Sequence, residues 1–415
     1  METALSISSD GCNTNTGHTD GVNRILEECL GMALQWLVCD LHLNEILFRH
    51  LFCKIDGDIK GPITYGGEIG SRISGKDGLA RANMNMAFVP ISGKVPDTVD
   101  EELLHNSDLK HLYNLSILTK LGTKKASQKQ INAFFCQPGT VTAARWVTTA
   151  CNLLTLYLQE ENPSSNLTLM VEIIQNLYVP SLFSIKKNWH CSNGSQHLFD
   201  IIQLSRELFE EKHPDLYEVV KKTIRKNGYY CHPENVLLGM VHDTDEKVKN
   251  KGIQIIQHLR AQDEQRPDGI ENIRRFQVPK NINFDARTYY ELVDFDDFTP
   301  DMICSPPILK NYSLDDIQNL NFKESYKKVP SNSQHIERFV ALTSKAAEYT
   351  IGYQNRHQYI LNKVAVTKKI PTSATKDVYV NLVNNTDRDN VKKKLCTEQS
   401  VEKELVSKIE SDMQV

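Results

Sequence analysis

Two short apolar runs near the N-terminus predict the first secondary structure of this chain. They are Leu5–Ser9 and Ala33–Cys39, and a helix-like stretch from Gly21 to Leu30 lies between them. Short apolar runs that end at polar turns are typical of buried strands. A second helix-like segment follows the second run. Residues 1–55 are therefore predicted to fold as strand, helix, strand, helix.

The middle of the chain is predicted to be mainly helical. Residues 56–105 are rich in glycine, which predicts a loop region with turns. From residue 106 to about 260, apolar residues recur at helical spacing, and His232-Pro233-Glu234 predicts a helix start. The stretch 261–330 contains Arg266-Pro267-Asp268-Gly269 and an acidic run near residues 291–297, so it is predicted to be irregular and solvated.

A late helix and a polar tail are predicted at the C-terminus. Ser331 and Gln334 have the spacing of a capping box, and an apolar face follows them, formed by Ile336, Phe339, Val340, Ala346 and Ala347. After Pro371 the chain becomes polar and charged, which predicts a disordered or loosely helical tail.

Composition limits the class of protein. The chain has 415 residues, of which 40% are hydrophobic and 24% charged, enough for a core and for two or three domains. Its net charge of -4 argues against a surface coated with basic residues, although a local basic groove is compatible with it. The sequence has no apolar run of bilayer length and no signal-peptide pattern, so we expect a soluble, intracellular protein without a membrane partner. Its ten cysteines are then expected to be reduced.

Four short motifs follow one another in a recognisable order. They are Asp10-Gly11-Cys12-Asn13 after the first strand, Cys39-Asp40-Leu41-His42 after the second, Arg145-Trp146 in the middle, and Glu337-Arg338 on the late helix. This order resembles the catalytic core of hAT-superfamily DNA transposases and covers the span from Ser8 to about Pro371. The resemblance implies an α-rich α/β fold, with a partial ribonuclease H-like core split by a large helical insertion.

The resemblance also divides the chain. Residues 1–55 are expected to form the first half of the ribonuclease H-like core, and residues 56–105 a Gly-rich loop region. Residues 106–330 are expected to form the helical insertion domain with its irregular acidic end. Residues 331–371 would supply the returning core helix, and residues 372–415 the polar tail.

Catalytic and metal-binding residues follow from the same resemblance. Asp10 corresponds to the family's second metal-binding Asp and Glu337 to its final Glu, so we expect the two side chains to lie close together and to bind Mg²⁺. The family's first Asp lies on a strand that would precede Met1, so the third carboxylate is expected to be missing. Asp40, which also follows a strand, could supply a substitute carboxylate. From the residues alone, Asp10 is also compatible with a turn-capping role and Glu337 with a solvated helix face.

Two further motifs have both a functional and a structural interpretation. Arg145 and Trp146 resemble the motif that opens the insertion domain of hAT transposases. Near this point in active transposases, an aromatic ring can stack on an extruded DNA base. The alternative is a core tryptophan at a helix start with a neighbouring arginine. Cys39, His42 and Asn44 are interpreted as a structural motif of the core. A zinc site would need four ligands, and no second close Cys/His pair lies nearby.

The expected function is that of a transposase-derived protein with a degenerate core, catalytically inactive, which retains DNA or protein binding. The alternative is a fragment of an active hAT-like transposase that cleaves and transfers DNA strands with two Mg²⁺ ions. A purely structural helical scaffold would share the middle region alone.

The expected partners are DNA, bound weakly and without sequence preference, and a second copy through an open strand edge. Mg²⁺ is expected only in an active form, no small-molecule cofactor is expected, and the nucleus is the expected location. The candidate phosphate contacts are Lys186-Lys187, Lys221-Lys222 with Arg225-Lys226, and Lys392-Lys393-Lys394.

Overall fold

The computed structural model describes residues 6–9, 11, 13–17, 21–30, 34–61, 64–74, 83–136, 145–188, 191–263, 281–297, 309 and 312–319. All of them belong to the first of the two units into which the chain divides, Met1–Ser333; the second is Gln334–Val415. The predictions for Asp10, for the helix that carries Glu337 and for the tail lie outside the described residues.

A β-α-β-α unit opens the fold, in the predicted order. Its elements are β1 (Ser6–Ser9), the short α1 (Asn13–Thr16), α2 (Val22–Leu30), β2 (Gln35–Val38) and α3 (Asp40–Asp56). The two strands are parallel, with Ser6 opposite Gln35 and Ser9 opposite Val38. Parallel neighbours need a crossover connection, which α1 and α2 supply.

The region predicted to be loops contains a hairpin and a helix. The hairpin pairs β3 (Ile59–Gly61) with β4 (Thr64–Tyr65) in antiparallel register, and α4 spans Glu68–Ile73. The carboxylate of Asp56 accepts the backbone N–H groups of Ile69 at 2.9 Å and Gly70 at 2.6 Å. These bonds satisfy free donors in the first turn of α4, so the last residue of α3 fixes where α4 begins.

Nine helices form the rest of the helical region within the described residues. They are α5 (Ser107–Leu121), α6 (Gln128–Phe135), α7 (Arg145–Gln159), α8 (Ser165–Ile173), α9 (Val179–Lys187), α10 (Gly194–Phe209), α11 (Pro214–Asn227), α12 (Pro233–Val241) and α13 (Glu246–Asp263). Helix α12 starts as the sequence predicts, because the imidazole of His232 accepts the backbone N–H of Glu234 and proline occupies the first turn. The fold is helix-rich, which confirms the α-rich part of the expected fold class.

Helices α8 and α9 join through a π-helical turn, Ile174–Tyr178, into one helix, Ser165–Lys187. By length and composition alone, this helix could cross a membrane. However, 67% of its most apolar window is buried inside the fold. That burial is typical of the core helix of a soluble protein.

The core is built around one face of α3. The Phe48 ring stacks on Tyr178 with centroids 4.6 Å apart, and meets Trp146 edge-on at 5.6 Å. Helix α11 packs along another side of α3. The π-helical turn, the start of α7 and helix α11 are therefore all packed against the same helix.

The segment 281–297 corrects one prediction. It is irregular, with 3-10 turns at Tyr289–Glu291 and Phe295–Asp297, but it is not solvated throughout. Its buried side chains are Ile282, Phe284, Ala286, Tyr289, Leu292 and Val293. The acidic residues between them hide this apolar pattern in the sequence. Past this segment, the Arg260 guanidinium donates to the carbonyl oxygen of Leu309, and helix α14 spans Leu314–Asn319.

Helix α2 shows an inverted distribution of side chains. Its polar residues Asn23, Arg24 and Glu27 are buried, whereas apolar residues at helical spacing are 40–50% exposed: Val22, Ile25, Leu26 and Leu30. The Glu27 carboxylate explains the inward polar face, because it accepts the Leu34 backbone N–H at 2.8 Å and the Trp36 indole N–H at 2.9 Å. The apolar stripe of α2 is thus left at the surface.

Candidate functional site

The carboxyl ends of β1 and β2 meet at one edge of the first sheet. The backbone N–H of Cys39 donates to the carbonyl oxygen of Ser9 at 3.0 Å, so the pairing continues one residue past β2. Gly11, in the turn after β1, lies against His42, because an added Cβ would be 2.9 Å from the imidazole Cδ2. The turn after β1 therefore packs directly on the first turn of α3. Asp10 stands between Ser9 and Gly11 in the sequence but is outside the described residues.

Asp40, the first residue of α3, is a fully buried carboxyl group at this edge. Neither of its oxygens has a hydrogen-bond partner among the residues that the structure describes. Burial raises the pKa of Asp40 well above its ordinary value, because the charged form loses its hydration. A buried carboxyl group without partners is costly to fold, and such groups are concentrated at functional sites. Asp40 is therefore a candidate functional residue of this edge.

Two buried thiols lie near Asp40. One is Cys39, which precedes it, and the other is Cys231 from the 3-10 turn Tyr229–Cys231. Burial raises the pKa of Cys39 to about 12. The pKa of Cys231 is also raised, first by burial and then by the charge of Asp40. Both thiols stay protonated at neutral pH, and the thiolate is the form that attacks or binds metals.

A buried polar network ties the first sheet to α12. The Gln35 side-chain amide donates to the side-chain oxygen of Asn235 at 2.7 Å and, at 3.4 Å, to the carboxylate of Glu234. Asn235 in turn donates to the carbonyl oxygen of Tyr229 at 2.8 Å. The His232 ring lies 3.5 Å from the Glu234 carboxylate. The two bonds from Gln35 join residues about two hundred positions apart in the sequence, so they fix the strand edge against the helical region.

The Cys-x-x-His motif, which we interpret as structural, lies at the start of α3. Cys39 is the N-cap residue of α3, and the ring of His42 packs on Gly11. Asn44 is buried and donates to the carbonyl oxygen of Tyr178 at 3.2 Å. The motif thereby connects the strand edge to the π-helical turn of the core.

Trp146 lies in the core. It is 5% exposed and contacts Phe48 and Phe52 with ring centroids 5.6 and 6.2 Å away. An indole enclosed in this way has no open face for a stacked base in this conformation, so the geometry favours the structural alternative over the DNA-binding one. Arg145 begins α7, but its side chain is outside the described part of the chain.

The described residues of this sheet edge do not fit a magnesium site. Among the described residues, no group of three or more His, Cys, Asp or Glu side chains is placed to hold a metal ion. The charge of Asp40 acts on the thiols of Cys39 and Cys231, which stay protonated. Magnesium instead takes hard oxygen ligands. The two predicted ligands, Asp10 and Glu337, both lie outside the described residues.

A cavity of about 310 Å³ lies between α9 and α10. Its walls include His197 and Asp200, one helical turn apart on α10. Burial lowers the pKa of His197 and raises that of Asp200, so each charged form is disfavoured. Sequence inspection missed this pair, and its i, i+3 spacing on an amphipathic helix is the signal that could have found it. Its lining also contains Pro180, Ile185 and Leu204, so it differs from the clustered carboxylates of a magnesium centre.

Lys186 is less suited to contact a phosphate group than the sequence alone suggests. Burial lowers its pKa, and the lysine lies close enough to Cys39 and Glu45 for their charges to oppose that shift. Its neighbour Lys187 is exposed. Lys222, Arg225 and Lys226 on α11 are exposed as well, whereas Lys392-Lys393-Lys394 lies outside the described residues.

Comparisons of the chain with protein-family models, with curated proteins and with solved structures found no match. The functional conclusion therefore depends on the motifs and on the geometry of this edge.

Proposed function

We propose that the chain is a transposase-derived protein with a degenerate ribonuclease H-like core, catalytically inactive in this form, which retains DNA or protein binding. One observation carries the proposal. Parallel pairing of β1 and β2 brings the turn after Ser9 against the first turn of α3, and a long helical region follows. This is the local arrangement expected from the order of the motifs.

The proposed inactivity follows from the number of available carboxylates. Cleavage with two metal ions needs several carboxylates that face one another and stay ionised. The Asp40 carboxyl is buried, and its raised pKa opposes ionisation. Asp40 therefore makes a poor third carboxylate.

The alternative function is that of a fragment of an active hAT-like transposase that cleaves and transfers DNA strands. The observation in its favour is the position of Asp40 at the same sheet edge as the turn after Ser9. Magnesium would be the cofactor in this case.

The proposed partners are DNA and a second copy of the chain. DNA binding would be weak and without sequence preference, in a soluble protein whose proposed location is the nucleus. Self-association is supported by the exposed apolar stripe of α2 and by the outer edge of β1, with which no other strand pairs in the part of the chain that the structure describes. An open strand edge can pair with the same edge of a second copy.

A strand-cleavage assay tests the proposed inactivity. The full chain is incubated with supercoiled plasmid and with a hairpin oligonucleotide in Mg²⁺ or Mn²⁺, beside Asp10→Asn, Glu337→Gln and Asp40→Asn. We expect no cleavage above buffer in any of them. Circular dichroism of each variant shows that the proteins are folded.

Metal-dependent cleavage by the unchanged chain that disappears in Asp10→Asn and Glu337→Gln contradicts inactivity and supports the alternative. Loss in Asp40→Asn as well would identify Asp40 as the third carboxylate. Cleavage that survives all three substitutions would come from a contaminating nuclease or a different site, and would also remove the support for this core.

A further inference from the structure

Helices α3 and α11 bring five basic side chains together at the surface. Arg49 and His50 lie on α3, and Lys222, Arg225 and Lys226 lie on α11, which packs against it. The three α11 residues have i, i+3, i+4 spacing and share one helix face. All five are exposed, and together they form what we call the basic surface.

The charges of the basic surface lie close enough to act on one another. The pKa of the His50 imidazole is lowered, first by partial burial and then by the positive charges of Arg49, Lys226 and Lys222. Cations from two helices therefore act on one histidine. The position of His50 near Lys222 and Lys226 follows from the packing of α11 on α3 and has no signal in the local sequence.

Acidic partners are scarce within the basic surface. In the part of the chain that the structure describes, Arg49, Lys222 and Lys226 take part in no ion pair, whereas Lys54 pairs with Asp215 and Lys221 with Glu218 nearby. The Arg225 guanidinium lies 5.0 Å from the centroid of the Phe284 ring, which holds it in place without neutralising it. The cations remain available to an external anion.

Helix capping explains part of this arrangement. Cations in the last turn of α11 interact favourably with the negative end of the helix dipole. That effect does not reach Arg49 and His50, which lie within α3. Clustered like charges destabilise a fold, and this chain has a net charge of -4, so acidic residues were available to neutralise them. An uncompensated cluster in an acidic protein is typical of a binding surface for a polyanion.

We propose that the basic surface binds the phosphate backbone of duplex DNA. This inference rests on the proposed function and assigns its DNA contact to specific residues. The cations extend over two helices and therefore fit a row of phosphates better than a single small anion. Contacts of this kind read no bases, so binding is independent of sequence.

Salt dependence gives the expected size of the effect. Four permanently charged side chains that neutralise about four phosphates give a slope of about -3.6 in log affinity against log salt. Affinity then falls about 150-fold between 50 and 200 mM salt. Removal of two cations reduces the slope to about -1.8, which corresponds to about 12-fold over the same range.

The experiment is a fluorescence-anisotropy titration of a labelled 30-base-pair duplex of random sequence, with the full chain at several KCl concentrations. The test variant is Lys222→Ala/Lys226→Ala. The matched control, Lys124→Ala/Lys125→Ala, removes two exposed lysines from the turn after α5 and changes the net charge equally. We expect the test variant to halve the salt slope and the control to keep that of the unchanged chain.

A second readout reports on the surface itself. Bound phosphate offsets the neighbouring cations, so saturation with duplex should raise the pKa of His50 in an NMR titration assigned with His50→Gln. Binding should also tighten as the pH falls through that pKa, since protonation adds a fifth cation beside Arg49, Lys222 and Lys226. Without DNA, Lys222→Ala/Lys226→Ala should itself raise the pKa of His50.

The outcomes separate the inference from the function on which it rests. DNA binding with an unchanged slope in the test variant, or an unchanged pKa of His50 at saturation, rejects the basic surface and leaves DNA binding standing. Absence of duplex binding at 25 mM salt rejects both the basic surface and the DNA binding of the proposed function. Tighter binding to phosphatidylserine vesicles than to duplex rejects DNA as the occupant.

Discussion

Replacement of Asp40 by Asn should make the protein more stable at neutral pH. The carboxyl group is fully buried, and in the described part of the chain neither oxygen has a hydrogen-bond partner, so no contact seen there stabilises its charge. Asparagine has nearly the same shape and is neutral at every pH. The substitution therefore removes the cost of protonating or burying a carboxylate and leaves the packing almost unchanged.

The sign and size follow from proton linkage. Burial raises the pKa of Asp40, so the folded protein keeps a proton that the unfolded chain has already released. Folding then takes up a proton, and the free energy of unfolding falls as the pH rises from the ordinary pKa of Asp towards the raised one. Each pH unit in this window is worth about 1.4 kcal/mol. Between pH 5 and pH 7, the advantage of Asp40→Asn should grow by as much as about 2.7 kcal/mol.

One effect opposes this expectation. Asp40 is the first residue of α3, where the helix dipole favours a negative charge by about 0.3–1 kcal/mol, rising to about 2 in favourable geometries. Removing a charge completely from water costs several kcal/mol when no partner compensates it. The desolvation cost is larger, so the carboxyl group is expected to be neutral in the folded protein.

Urea unfolding of the full chain between pH 5 and pH 8 measures the effect. The matched control is Asp58→Asn, which makes the same chemical change at an exposed position and should leave the pH dependence unchanged. A destabilised Asp40→Asn protein, or one with the same pH dependence as the unchanged chain, refutes the reasoning. Either result would mean that the Asp40 carboxylate is ionised and has a partner.

Two further predictions concern the tryptophan and the surface of α2. Trp146→Ala should cost about 3–5 kcal/mol of stability, because it empties a core position, whereas Phe135→Ala at a 55% exposed ring should cost less than about 1 kcal/mol. Loss of DNA affinity without loss of stability in Trp146→Ala would restore the base-stacking interpretation. Leu26→Lys should weaken self-association in sedimentation experiments at tens of micromolar, because it places a charge in the apolar stripe, whereas Val89→Lys, at a 72% exposed position, should not. A chain that sediments as a monomer before any substitution removes the case for a second copy.

Local signals in the sequence determined the order and type of many elements. The order strand, helix, strand, helix was predictable from two short apolar runs and the helix-like stretch between them. The start of α12 was predictable because His232 and Pro233 form a capping sequence that acts within one turn. Such signals depend on neighbours in the chain, so they keep their meaning without the fold.

Tertiary packing decided what each side chain faces, which no local pattern encodes. Helix α2 is amphipathic in its sequence, yet Glu27 turns its polar side inward because it bonds to Trp36 and Leu34. Burial raises the pKa of Asp40, and its charge acts on Cys231, which comes from a distant segment of the chain. Arg49 and His50 joined Lys222 and Lys226 because α11 packs on α3, some 170 residues further along the chain. Burial and electric fields depend on groups that meet only after folding, so the sequence determined the elements, and the tertiary structure decided their chemistry.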